Sequence, residues 1–131
     1  MTQMDDVVTF LGKSGTVTVK HIEDAGTPRG VGAGNRILVY TPKLTSNDWG
    51  IQRYIYDYDC ESEIDTEANY FTLMTGLKTN IDKMNRRETI TSYTKPATLV
   101  SMNLVSEDYV FSRPSNRLRG RFTIRVEWST A

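Results

Sequence analysis

The sequence of 131 residues contains one cysteine and one histidine, and this scarcity excludes several kinds of site. Cys60 cannot form an internal disulfide, which favours synthesis in a reducing cytoplasm. A single His21 excludes a metal site built on two histidines, and zinc would need ligands that the chain lacks. We interpret Cys60 as a small core residue and His21 as a half-buried structural residue. The sequence therefore predicts no catalytic residues, no cofactor and no metal.

Long apolar runs and an excess of charge of one sign are also absent. No apolar stretch approaches the roughly 20 residues that span a bilayer, and residues 1–15 do not fit a secretory signal, so we expect no membrane partner. Sixteen basic residues balance sixteen acidic residues, so net charge does not predict nucleic-acid binding, although local patches still matter. We expect one domain over residues 1–131, which is long enough to bury a core.

The strongest periodic signal is an amphipathic helix over about residues 66–84. Asp65 or Thr66 can cap its N-terminus, and Gly76 is its one unfavourable residue, costing about 1 kcal/mol relative to Ala. The apolar stripe has helical spacing and comprises Tyr70, Met74, Leu77, Ile81 and Met84, widened by Phe71 and Leu73. This helix is expected to cover one face of a sheet.

Most of the remaining chain is predicted to form strands. Residues 4–11 are either a short helix or a strand, and residues 45–50 are expected to be a polar turn after Pro42. In the strand that begins at Thr98, Val100, Met102 and Leu104 are expected on one face. The predicted strands cover residues 16–22, 36–41, 51–60, 98–106 and 117–128, of which the last two form a long C-terminal hairpin. The predicted class is α+β, with a mostly antiparallel sheet packed against one main helix.

A glycine-rich segment, residues 23–35, is predicted to be a flexible loop unless a partner orders it. Its letters GVGAGN resemble a fragment of a phosphate-binding loop. Such loops open a helix, whereas a predicted strand follows here, so nucleotide binding is not favoured.

Acidic residues recur at alternate positions near the end of the strand before the helix. The run extends from Asp57 to Asp65, and its interface candidates, the acidic ladder, are Asp57, Asp59, Glu61 and Glu63. A hard cation could in principle bind there. A solvated acidic edge, or salt bridges to another subunit, is the favoured interpretation. An enzyme that uses Asp57 and Tyr58 is the weakest alternative, because no set of acid, base and nucleophile can be named.

Arginines alternate along the last predicted strand. The arginine ladder comprises Arg117, Arg119, Arg121 and Arg125. It is interpretable as a solvated outer face, as a surface that follows nucleic-acid phosphates, or as a subunit interface that meets the acidic ladder of a neighbour. The split of a neutral chain into one acidic and one basic strand favours the interface over nucleic acid. Head-to-tail contacts between unlike patches generate closed rings.

The order of these elements resembles the tail-terminator and tail-completion proteins of long-tailed bacteriophages. The resemblance is carried by the segments RILVYT, IQRYIYDYDC, TEANYFTLMTGLKTNIDKM and SEDYVFSRPSNRLRGRFTIRVEW. It covers roughly residues 36–128 and is topological, with no signature motif. The longer N-terminal helix of that family is missing or shortened here.

The resemblance implies a non-enzymatic virion protein, made in the host cytoplasm, that forms a ring where tail meets head. The ring is expected to be a hexamer, with tail-tube and head-connector proteins as partners and non-specific contact with DNA in its channel. The arginine ladder would lie between subunits or, as a second choice, on the channel wall. The loop residues expected to order on docking are Asp24, Gly26, Arg29, Gly30, Gly32 and Gly34. Another tail-tube or connector subunit and a nucleic-acid-binding module remain as alternatives.

Overall fold

The structure is a computed structural model that describes residues 3–15, 17–22, 35–48, 53–112 and 117–129. The two helices are α1 (Gln3–Gly12) and α2 (Glu67–Asn85). The six strands are β1 (Thr18–Ile22), β2 (Arg36–Tyr40), β3 (Lys43–Asp48), β4 (Arg53–Ile64), β5 (Leu99–Ser112) and β6 (Arg117–Ser129). This confirms the predicted α+β class and the C-terminal hairpin.

The strands form one sheet in the order β1-β2-β4-β6-β5, and β3 also pairs with β4. The pair β1–β2 is parallel and all other pairs are antiparallel, as predicted for most of the sheet. Strands β2 and β3 share one side of β4, because β2 pairs with residues 60–63 and β3 with residues 53–57. The sheet therefore has β5 at one edge and β1 and β3 at the other.

Two predictions about the first half of the sheet were wrong in their boundaries. Residues 45–48 belong to β3 and not to a polar turn, and β4 continues beyond Cys60 to Ile64. Strand β4 has 12 residues, and β2 pairs only with its second half. The backbone groups in the first half of β4 need hydrogen-bond partners, and residues of β3 provide them. This requirement outweighs the weak strand propensity of the serine, asparagine and aspartate in β3. The ambiguous segment 4–11 is helical and lies within α1.

Helix α2 covers the inner face of the sheet, as the periodicity predicts. The Thr66 side chain accepts a hydrogen bond from the backbone N–H of Asn69 at 3.1 Å and so caps the helix. All five residues of the predicted stripe are buried, and so is Leu73. Phe71 is the exception, because it is 45% exposed and lies beside the ring of Tyr70. Its assignment to the buried stripe was therefore wrong.

Two glycines allow close approach between elements. A Cβ atom on Gly76 would overlap the carbonyl oxygen of Ser14, in the turn after α1. A Cβ atom on Gly120 would lie 2.6 Å from Cε2 of Tyr70 and 2.8 Å from Oγ of Ser62. Gly76, which is unfavourable for the isolated helix, is thus the residue that lets α2 approach the turn after α1.

Strand β5 contains two irregularities in its pairing with β6. The register shifts between Leu99 and Ser101 and again between Leu104 and Ser106. The first shift removes Val100 from the alternation, so Leu99 and Met102 are the buried residues there. The expectation that Val100 shares a face with Met102 was wrong, because a β-bulge inserts one extra residue.

Candidate functional site: the charged outer face of the sheet

Alternation along β4 and β6 separates a buried inner face from a charged outer face. We define the outer face by the acidic ladder on β4, by Arg119, Arg121 and Arg125 of the arginine ladder on β6, and by Arg36 on β2. The register places Asp57 opposite Arg125, Glu61 opposite Arg121, and Glu63 opposite Arg119. The two ladders are therefore cross-strand neighbours within one chain.

The pair Asp57–Arg125 has the best geometry on this face. Nε of Arg125 lies 2.9 Å from Oδ1 of Asp57, and Nη2 lies 3.1 Å from Oδ2. This two-point hydrogen bond lowers the pKa of Asp57 and raises the pKa of Arg125, because it favours the charged form of both groups. Thr123 donates a hydrogen bond of 2.8 Å to the neighbouring acid, Asp59, which is exposed.

The other two members of the acidic ladder are buried, so the solvated-edge interpretation was wrong for them. Glu61 is 4% exposed and Glu63 is 7% exposed. Oε1 of Glu63 accepts a hydrogen bond of 3.0 Å from Nη2 of Arg36, and Oε2 of Glu61 accepts one of 3.1 Å from the hydroxyl of Tyr40. Burial of a carboxylate is tolerated when such partners replace water.

Arg119 and Arg121 are exposed and form no ion pair with another residue in the described part of the chain. They differ in this respect from Arg125, which is held by Asp57. The side chain of Arg117 lies outside the described residues. Arg119 and Arg121 are therefore the members of the arginine ladder that a partner can reach.

A groove with a volume of about 590 Å³ crosses the outer face from β2 to β5. Lys43 and Arg121 supply its positive charge, and Asp59 and Glu61 supply its negative charge. Hydroxyl groups, including that of Thr123, also line it. Such a mixed lining suits polar contacts with a protein segment better than it suits a single ion.

The residues considered for chemistry are not assembled into a catalytic set. Asp57 lies on the outer face and Tyr58, only 1% exposed, on the inner face of the same strand, so they do not share a site. Burial raises the pKa of Tyr58 to about 12 and raises the pKa of the Cys60 thiol. Cys60 lies in the core, and half-buried His21 lies 3.4 Å from the Thr41 hydroxyl. The core position of Cys60 and the half-buried position of His21 agree with the burial predicted for them.

Two classes of feature are missing from the part of the chain that the structure describes. No group of three potential metal ligands occurs among the described histidine, cysteine, aspartate and glutamate residues. No helix formed by those residues has the length and apolar character needed to cross a membrane.

Residues 23–34 of the candidate docking loop lie outside the described residues, and they include Asp24, Gly26, Arg29, Gly30, Gly32 and Gly34. Its last residue, Asn35, is described: its Oδ1 accepts a hydrogen bond of 2.9 Å from the N–H of Asp65, and its carbonyl accepts one of 3.1 Å from Thr18. Strand β2 begins at the next residue. A strand follows the glycine-rich segment, as predicted.

Sequence reasoning missed Arg36 and Tyr40 as partners of the acidic ladder. Both point to the outer face, because Arg36 pairs with Glu63 in register and Tyr40 lies four residues further on. No local pattern marks them, since their role follows from the pairing of β2 with the second half of β4.

Comparisons with known proteins identify a shared fold. No family model and no curated protein sequence matches the chain. Among solved structures, a chain of the virion of a native gene transfer agent particle matches with a TM-score of 0.57 and 12% sequence identity. The match covers 91% of this chain and 83% of that chain. At this identity the match demonstrates similarity of fold alone.

Proposed function

We propose that this chain is a non-enzymatic structural subunit of a phage-like virion. The observation that carries the proposal is the fold match to a chain of a gene transfer agent virion over most of both chains. The location follows from the proposal: a protein made in the cytoplasm of its host and incorporated into the particle.

More specifically, we assign the chain to a ring at the junction of head and tail, as a tail-terminator or tail-completion protein. A ring needs two different surfaces that fit each other head-to-tail. The sheet offers two unlike edges, β5 on one side and β1 and β3 on the other. Helix α2 covers the inner face, which leaves the charged outer face on the opposite side of the sheet. The ring is expected to contain six copies and to contact the tail tube and the head connector.

The intrachain pairs favour the channel wall as the location of the arginine ladder. Asp57 and Glu63 already bind arginines of their own chain, so a neighbour's arginines would compete with existing partners. Arg119 and Arg121 are exposed, and arginine side chains bind nucleic-acid phosphates without regard to sequence. Contact with a neighbouring subunit remains the alternative assignment for these two residues.

The double variant Arg119→Ala/Arg121→Ala separates the two assignments. A matched control, Arg86→Ala/Arg87→Ala, removes the same charge from exposed positions just after α2. On the channel wall, only the first variant lowers the affinity for random duplex DNA, and the slope of log K against log salt falls by about 2. Its rings keep the wild-type mass and salt resistance. Loss of the ring with unchanged DNA binding would instead assign the arginines to the interface.

Native mass and electron microscopy of the purified chain test the ring itself. The expected result is a closed assembly, with six copies and a central channel wide enough for duplex DNA. A chain that stays monomeric, both alone and with purified particles that lack it, would contradict the proposed function.

A further inference from the structure

The side chain of Asn85, at the end of α2, is bonded to the backbone of edge strand β5. Its Nδ2 donates a hydrogen bond of 2.7 Å to the carbonyl of Met102, and its Oδ1 accepts one of 3.0 Å from the N–H of Met102. One carboxamide thus satisfies both backbone groups of a single residue. This is the pattern with which a neighbouring antiparallel strand would pair.

The contact fixes the direction of the backbone groups along β5. Both groups of Met102 point away from β6, because Asn85 binds them. In an antiparallel pair this orientation recurs at every second residue of the partner strand. Met102 lies opposite Val126 and Glu107 opposite Phe122, four residues earlier on β6, so the N–H of Glu107 also points away from β6. At the edge of β5, the backbone groups of Met102 are thus occupied by Asn85, whereas the N–H of Glu107 is available to a further strand.

We propose that the open part of the β5 edge, residues 104–108, accepts strand β3 of a second copy, and that Asn85 fixes where this pairing stops. The inference rests on the proposed ring and names the contact that would build it. An edge strand with unpaired backbone groups is a template for strand addition. Among the described strands, β3 pairs only with β4 and β5 only with β6.

The direction of the strands suits a ring of identically oriented copies. Within one chain β3 is antiparallel to β4, β4 to β6, and β6 to β5, so β3 and β5 run in opposite directions. A rotation that brings β3 of one copy beside β5 of the next therefore creates a further antiparallel pair. The contact is head-to-tail, as ring closure requires.

The side chains on the two strands are complementary. Leu44 on β3 is 52% exposed and Val105 on β5 is 47% exposed, and among the described residues they are two of the three exposed large apolar side chains. Lys43 and Asp108 are exposed, and neither forms an ion pair with another described residue. Both lie on the outer face, because Lys43 pairs with Asp57 in register and Asp108 with Arg121. The contact would join an ion pair, and it would bring the exposed apolar residue of each strand close to the other strand.

Charge reversal tests the contact. Lys43→Glu and Asp108→Lys should each weaken self-association of the full chain about fivefold, because each replaces an attraction by a repulsion. The double variant should recover wild-type association, as measured by sedimentation and native mass. A double variant no better than the single variants would overturn the proposal, and so would single variants that associate like wild type.

Amide hydrogen exchange tests the role of Asn85 independently of any variant. The amide of Met102 should be protected in the dissociated and in the assembled chain, because Asn85 binds it in both. The amide of Glu107 should exchange quickly when dissociated and gain protection on assembly. Unchanged exchange at Glu107 in the assembled ring would reject strand addition at β5.

A single proline substitution with a matched control provides a third test. Glu107→Pro removes the outward N–H and should abolish assembly while the fold persists by circular dichroism. Lys78→Ala is the control, because Glu107→Pro also removes the 2.8 Å ion pair between Lys78 and Glu107. Lys78→Ala should still assemble. If the chain forms rings that neither the charge reversals nor Glu107→Pro disturb, and if the amide of Glu107 gains no protection, this contact is overturned and the proposed function stands. A wild-type chain that forms no ring would count against both.

Discussion

Arg125 and Asp57 form a two-point ion pair across β4 and β6, with distances of 2.9 and 3.1 Å. The two residues belong to the arginine and acidic ladders, which the sequence separates by more than half of the chain. Their pairing shows that complementary charges on two strands can meet within one chain. Among the described arginines of that ladder, it leaves the exposed Arg119 and Arg121 available to bind another molecule.

The ion pair predicts a pH dependence of stability that Asp57→Asn removes. Hydrogen bonding to Arg125 lowers the pKa of Asp57 below the ordinary value of 3.8. A depressed pKa stabilises the folded chain above pH 3.8, and this stabilisation is lost as the pH falls through the lower, folded-state pKa.

At pH 7 the midpoint temperature of thermal unfolding should therefore be higher for wild type than for Asp57→Asn. The difference between the two midpoints should disappear in strong acid. The control Asp82→Asn changes an exposed helical residue and should behave like wild type. A gap that stays constant down to pH 2 would count against the pKa shift.

Gly76→Ala should destabilise the chain although it improves helix propensity. The added Cβ overlaps the Ser14 carbonyl oxygen, and a backbone atom cannot move aside as a side-chain tip can. Overpacking of this kind costs about 1–3 kcal/mol, against about 1 kcal/mol gained in helix propensity. Urea unfolding should give a net loss of up to about 2 kcal/mol. Gly12→Ala is the control, because its nearest atom lies 4.0 Å away, and a stabilised Gly76→Ala would contradict the packing.

Gly120→Ala should destabilise the chain through the ring of Tyr70. Tyr70 is fully buried, so its ring has little room to move from a contact of 2.6 Å. We expect a loss of about 1–3 kcal/mol in the free energy of unfolding. In a Tyr70→Leu background the added cost of Gly120→Ala should shrink, which a double-mutant cycle measures. Gly15→Ala, with its nearest atom at 3.5 Å, should be nearly neutral. Additive costs in the cycle would refute the contact.

Arg87→Gly should stabilise the chain. Arg87 follows α2 with a φ of 58°, a region that favours glycine. The turn is closed by hydrogen bonds from the N–H of Arg87 to Met84 and from the N–H of Glu88 to Lys83. Glycine should add about 0.5–1 kcal/mol of stability in urea unfolding. Arg86→Gly, at a φ of −88°, should give no gain, and equal effects at both positions would exclude the backbone explanation.

Residues whose roles depend on local period were predictable from the sequence. The α2 stripe and the alternation along β6 follow from spacings of 3.6 and 2 residues, and both are confirmed. The prediction for Phe71 was wrong because the exposed side of α2 begins next to Tyr70. Composition does not mark this boundary between the buried and exposed sides of the helix.

Roles that depend on register could not be predicted. The sequence shows the acidic and the arginine ladder but not that β4 and β6 lie side by side, so their members were matched to a neighbouring subunit. The Arg36–Glu63 pair and the Asn85–Met102 contact join residues 27 and 17 positions apart, and no spacing rule connects them. Strand β3 was missed because pairing with β4, and not its own propensity, makes it a strand.

The position of this chain in purified particles tests the account most directly. Electron microscopy with a label on the chain should find one cluster per particle, at the junction of head and tail, in a ring of identical subunits. Label repeated along the whole tail, or particles that contain none of the chain, would contradict the account.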